Sequence, residues 1–148
     1  MTEQQKDKSA FICSRDTLDG AYPPLILAIN CARQGMEAKV FYTFMGINLA
    51  KKGGYEKSKF VPTGPMGAIP GMSYLATSMM KKKMDKAQIP SLDELLEMAQ
   101  IEGVELIVCR MTLDMMELDE SELIEGSIVW PAEQFIKYAK DCKICMFM

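Results

Sequence analysis

Val104-Glu105-Leu106-Ile107-Val108-Cys109-Arg110-Met111-Thr112-Leu113 is the stretch that decides the fold. A short apolar run after Gly103 reads as a strand buried on both faces, as a parallel sheet requires. The run Val104–Val108 closes on a thiol, Cys109, and a turn then leads into a helix from about Leu113. In open α/β sheets, ligands and chemistry gather just beyond the carboxyl ends of the strands. A thiol there can meet helix N-terminal amides, which favour the thiolate. A cysteine in that position either reacts or fills the sheet end, and position alone leaves both open.

Working outward, the same alternation of strand and helix recurs. Upstream, Pro90-Ser91-Leu92-Asp93-Glu94 starts a helix running to about Glu102, with Ser91 as N-cap and Glu94 completing a capping box. Ser9–Cys13 reads as a first strand, Leu25–Ala32 as an apolar helix ending at Gly35, and Ala38–Phe44 as a β-rich second strand. Gly46–Lys52 is a short helix or turn, and Phe60–Gly71 is a Pro/Gly/Met loop long enough for a flap or an oligomer contact. Met72–Lys86 has helical spacing. Downstream, Leu118–Leu123 is acidic with Ser121 as a possible cap, and Ser127–Trp130 is a fourth strand. Pro131 takes the first position of a last helix, and Lys143–Phe147 forms a fifth strand. The expectation is an α/β three-layer sandwich with a mostly parallel five-stranded sheet, flavodoxin-like. Residues 1–8 are read as a flexible tail and 9–148 as a single domain.

Composition narrows the chemistry. The chain has 148 residues, a hydrophobic share of 49% and a net charge of -3. This gives no electrostatic case for nucleic acid. Lys81-Lys82-Lys83 reads as a solvated helix face. Histidine is absent, which removes Ser-His-Asp catalysis and every His-containing metal site. The start resembles no signal peptide, and the least polar window, Phe60–Met80, is broken by prolines and glycines. A cytoplasmic protein without membrane contact is expected, with its cysteines reduced. No GxGxxG follows the first strand, and Gly64-Pro65-Met66-Gly67 lacks a GK[ST] ending, so no cofactor is expected.

Five cysteines carry the remaining chemistry. Cys13 also ends a strand, so in a parallel sheet it can share one crevice with Cys109, with Arg15 or Arg110 favouring a thiolate. Cys31 is a packing residue. Cys142-Lys143-Ile144-Cys145 is a CxxC, but it follows a helix instead of preceding one, which argues against a thioredoxin-like redox role. No second CxxC completes a metal site.

The run from Ala28 to Leu49, above all Phe41-Tyr42-Thr43-Phe44-Met45-Gly46, resembles the DsrE/DsrF-like sulfur-relay family. Within it, the segment is similar to the peroxiredoxin-like branch, whose members carry a "G-M-E-V…F-F-T-F-W-G-L" pattern. The resemblance covers about Ser9–Phe147 and implies a homo-oligomeric DsrEFH-like domain. It also implies a carrier that accepts sulfane sulfur from a donor and passes it to a partner, often a small TusA-like protein. The sulfur-accepting cysteine falls at Cys109. Arg110, Cys13, Asn48 and Tyr42 are the candidate binding residues around it. Two other readings stay open: an oligomeric scaffold subunit with a structural Cys109, and thiol–disulfide exchange through Cys142 and Cys145 or Cys13 and Cys109.

Overall fold

The structure, a computed structural model, describes residues 5–148. Residues 1–4 of the expected tail lie outside the described residues, and Lys8 already opens the first strand. The strands are β1 (Lys8–Cys13), β2 (Glu37–Tyr42), β3 (Glu105–Cys109), β4 (Ile128–Trp130) and β5 (Cys142–Phe147). They form one sheet in the order β4-β3-β2-β1-β5, with every pairing parallel. Between them run α1 (Leu18–Arg33), α2 (Ile47–Ala50), α3 (Met72–Lys86), α4 (Leu92–Ile101), α5 (Arg110–Met115) and α6 (Ala132–Ala139). The α/β sandwich with a five-stranded parallel sheet, expected from the alternation of elements, is the fold observed.

Two cores follow from the period-two alternation of strand side chains. Phe11, Cys13, Val40, Tyr42, Leu106 and Val108 face one side, where α1 and α4 supply Leu25, Ala28, Leu92 and Leu95. Ala10, Phe41, Ile107 and Cys109 face the other, under Phe135 and Tyr138 of α6. Phe135 stacks on Phe41 with ring centroids 4.1 Å apart. Lys39 lies on this second face, nearly buried, with its ammonium 2.6 Å from Glu105 and 4.8 Å from the centre of the Tyr138 ring. The charge is thus paired and laid against an aromatic face, which offsets its desolvation.

Several boundaries differ from expectation for identifiable reasons. α1 starts at Leu18 and not near Leu25, with Pro23 and Pro24 inside it. A helical proline has no amide for the carbonyl four residues back. Pro24 therefore leaves the Gly20 carbonyl free, and the Cys13 thiol points at it from 3.9 Å. β2 stops at Tyr42 because Phe44 takes a left-handed φ of 47° and turns the chain into a 3-10 turn over Phe44–Gly46. Gly46 lies so close to β1 that a Cβ there would sit 2.1 Å from the Cys13 carbonyl oxygen, so only glycine fits. The turn expected after Cys109 is absent, because α5 begins directly at Arg110. Pro131 is the N-cap of α6, one residue before the position expected for it. Asp119, not Ser121, caps the acidic turn, accepting from the Ser121 amide at 2.8 Å.

The capping box at α4 forms as read. The Glu94 amide donates to Ser91 Oγ, and the Ser91 amide donates to the Glu94 carboxylate at 2.8 Å. Replacing Ser91 with Ala strands one helix donor and is expected to cost about 1 kcal/mol, read as a lower denaturant midpoint at constant slope. An unchanged midpoint would show that the box contributes nothing.

Candidate functional site

Cys109 is the last residue of β3 and the residue immediately before α5, paired in register with Trp130 of β4. Its side chain joins the α6 face and is 7% exposed. It makes no capping hydrogen bond to α5. The turn that follows β2 and the helix that follows β3 carry apolar side chains out into solvent: Phe44 and Met45 on the turn, Met111 and Met115 on α5. Thr112 ties the two segments together. Its hydroxyl accepts from the Phe44 amide at 3.2 Å and lies 3.4 Å from the Thr43 hydroxyl. The strand end therefore presents a recessed thiol flanked in the chain by an exposed apolar rim.

The expected companions of Cys109 do not gather around it. Cys13 and Cys109 do not share a crevice. Their places in the alternation put Cys13 on the α1 face and Cys109 on the α6 face. Cys13 is buried, with its thiol directed at the carbonyls of Arg15 and Gly20. Burial, more than any neighbouring charge, pushes that thiol up to about 11. Tyr42 is fully buried on the same face, its hydroxyl bonded to that of Tyr55. Burial holds both phenols above their ordinary range.

Arg110 and Asn48 do lie at the strand-end edge, but both are already engaged. The Arg110 guanidinium is 2.5 Å from Glu120 and 3.5 Å from Asp114. Asn48 donates its amide to Asp16 at 2.9 Å. The positive charge of Arg110 is thus already offset by two carboxylates.

The CxxC gains a feature that spacing alone hid. β5 shifts register against β1 between Lys8 and Ser9, so Cys142 pairs with Lys8 and Ile144 with Ser9. Such an irregularity changes which residues share a face. Cys142 consequently packs against the α6 core, while Cys145 pairs with Ala10, a residue of that same core. Desolvation, helped by the neighbouring Cys145, pushes the Cys142 thiol up to about 11. Among the described residues, no group of three or more Cys, Asp or Glu side chains is placed to hold a metal ion. No helix among them is long and apolar enough to cross a membrane.

A family model described as the DsrE/DsrF/DrsH-like family matches residues 5–147. The chain belongs to that family. Two curated relatives align end to end with this DsrE/DsrF/DrsH-like chain. "Sulfur carrier protein DsrE2" of Allochromatium vinosum is 36% identical, covering 97% of this chain and 99% of the relative. "Uncharacterized protein YrkE" of Bacillus subtilis is also 36% identical, covering 100% of both. Among solved structures, the ychN protein from E. coli superimposes with a TM-score of 0.62 at 11% identity, covering 97% of this chain and 100% of the other. MTH1491 from Methanobacterium thermoautotrophicum, a protein of unknown function, superimposes with a TM-score of 0.50 at 14% identity, covering 95% of this chain and 99% of the other. These two likenesses are of fold. The sequence relationship to a sulfur carrier supports a role in sulfur relay.

The raised thiols give a direct expectation. A pKa of about 11 leaves Cys142 almost wholly protonated at neutral pH, and the thiolate is the reacting form. Its alkylation by iodoacetamide, followed by peptide mass spectrometry, should be slow at pH 7.5. It should speed up about tenfold per pH unit until the pH approaches the thiol pKa. Fast labelling at neutral pH would contradict the desolvated environment.

Proposed function

We propose that this protein is a cytoplasmic, homo-oligomeric sulfur carrier that holds sulfane sulfur on Cys109 as a persulfide. The observation that carries the reading is the place of Cys109 within a chain 36% identical along its length to a protein named as a sulfur carrier. Cys109 ends a buried parallel strand at the carboxyl edge of the sheet, where α/β sites form. Its strongest structural rivals are disfavoured: burial keeps Cys13 and Cys142 protonated at neutral pH.

The transfer balances without an oxidant. The Cys109 thiolate attacks the sulfane sulfur of a donor; a new S–S bond forms, the donor's bond to that sulfur breaks, and the donor leaves with the electron pair. The product, Cys109–S–S⁻, carries its outer sulfur about 2 Å beyond the original thiol. The thiolate of a small TusA-like carrier protein then attacks that outer sulfur, and Cys109 leaves as the thiolate. Exchange of this kind depends on the attacking thiolate and on access. The exposed Phe44, Met45 and Met111 supply an apolar rim for the incoming protein, and adaptable methionines suit such a surface.

The small exposure of Cys109 supports a second reading, a scaffold subunit in which that cysteine packs the sheet end. One experiment separates the two. After polysulfide treatment, intact-mass and peptide analysis should find an added 32 Da on Cys109, lost with dithiothreitol. Cys109→Ser should abolish both this and onward loading of the partner. Loading that survives the substitution, or sulfur on Cys145 alone, would exclude Cys109 as the carrier residue.

A further inference from the structure

A net charge of -3 conceals a strong separation of charge along the chain. Residues 51–86 hold eight of its 17 basic residues and two of its 20 acidic ones, a net +6 against -9 for the remainder. None of those eight lysines forms an ion pair among the described residues. The fold gathers them. Lys57 and Lys59 come from the segment before Phe60, while Lys81 and Lys82 come from α3, and the four border one open cleft of about 590 Å³. Tyr74 and Ser78 continue the same face of α3 along it, and two acids, Glu56 and Asp85, also line it against the four lysines. A second cleft shares Lys57 and Ser58 with the first and adds Lys51 and Lys52. The basic track therefore runs from α3 toward Asn48 at the strand-end edge.

The wall of the cleft is fixed. Thr77 is buried on α3 and clips the preceding loop to the helix: its hydroxyl accepts from the Phe60 amide at 2.8 Å and donates to the Ser73 carbonyl at 2.6 Å. α3 otherwise buries little, and Tyr74, Leu75 and Met79 stand in solvent beside the lysines.

We propose that this cleft docks an acidic segment of a partner protein, a turn or helix bearing Asp or Glu with an apolar side chain for Tyr74. Four unpaired ammonium groups facing one concavity raise the local potential and speed the approach of an acidic surface. The concave arrangement selects a protruding polypeptide over a flat lipid surface. The proposal stands independently of Cys109, because no residue of the cleft belongs to the α6 face.

The test uses the full chain and a fluorescein-labelled peptide of eight glutamates interrupted by two leucines, followed by fluorescence anisotropy. Binding should weaken with added salt. The variant Lys57→Glu/Lys81→Glu/Lys82→Glu should bind at least tenfold more weakly, while Lys137→Glu/Lys140→Glu on and after α6 should bind like the wild type. Four results would overturn the proposal. One is equal binding by both variants. Another is displacement of the peptide by inorganic phosphate at the same total charge, which would mark a small-anion site. A third is sedimentation with phosphatidylglycerol-containing vesicles in place of peptide binding. The last is a salt-sensitive oligomer, lost only in the triple variant, which would mean that a second copy fills the cleft.

Discussion

The side-chain alternation of three adjacent parallel strands is the constraint on which the rest of the molecule depends. β1, β2 and β3 are paired residue for residue, with Phe11 beside Val40 and Val40 beside Leu106. Because paired residues of a sheet share a face, one register fixes the environment of every side chain on these strands. It sends Phe11, Cys13, Val40, Tyr42, Leu106 and Val108 toward α1 and α4, and Ala10, Phe41, Ile107 and Cys109 toward α6. The two strand-end thiols have different surroundings for this reason alone. A slip of one residue in β3 would exchange Cys109 for Val108 and bury the thiol in the larger core.

The two faces are then covered unequally. The first core draws on α1, α2, α4 and α5, while among the described residues α6 is the helix that serves the second. α6 has eight residues, about 12 Å of helix, yet it must close the connection from β4 at one edge to β5 at the other. It succeeds by planting a few large groups: Phe135 on Phe41, and Tyr138 over Lys39 with its hydroxyl donating to the Ser9 carbonyl at 3.1 Å. The carboxyl end of that face is left thinly covered, with Trp130 partly exposed and Phe147 in solvent. A recessed thiol beneath thin cover differs from a core cysteine, and Cys109 occupies that position while Cys13 does not.

How much of this was legible in the sequence follows from the range of the forces involved. Strand and helix identities were legible, because they depend on local periodicity; Met72–Lys86 was read to the residue, and the Ser91–Glu94 box is a four-residue motif. The edge to which Cys109 belongs was also legible, because parallel strands end together. The face was not. Whether two strand-end residues meet depends on register between strands, which local pattern does not encode, and so the sequence alone does not separate Cys13 and Tyr42 from Cys109. Two prolines hid the first turns of α1, since their cost to a helix is read locally while the compensation at Gly20 comes from another element. The CxxC was legible as a pair of residues, but the irregularity of β5 that turns both thiols toward one face was not.

The lysines show the same limit from the opposite direction. Lys81-Lys82-Lys83 is an unremarkable solvated run on its own helix, and that reading holds for Lys83. It holds for Lys81 and Lys82 too, which are exposed, but it leaves out that a segment more than twenty residues earlier brings Lys57 and Lys59 to the other side of the same cleft. Like charges placed together without counterions destabilise the folded chain, though only modestly at full exposure and in physiological salt, where screening acts over about 8 Å. A chain with nine net negative charges outside residues 51–86 had carboxylates available to neutralise these lysines. It uses them elsewhere, on Lys39, Arg33 and Arg110. A cleft with four lysines and two acids, beside abundant acid elsewhere, is therefore a feature of the fold that intramolecular stability does not account for, and an acidic ligand from outside the chain would complete it.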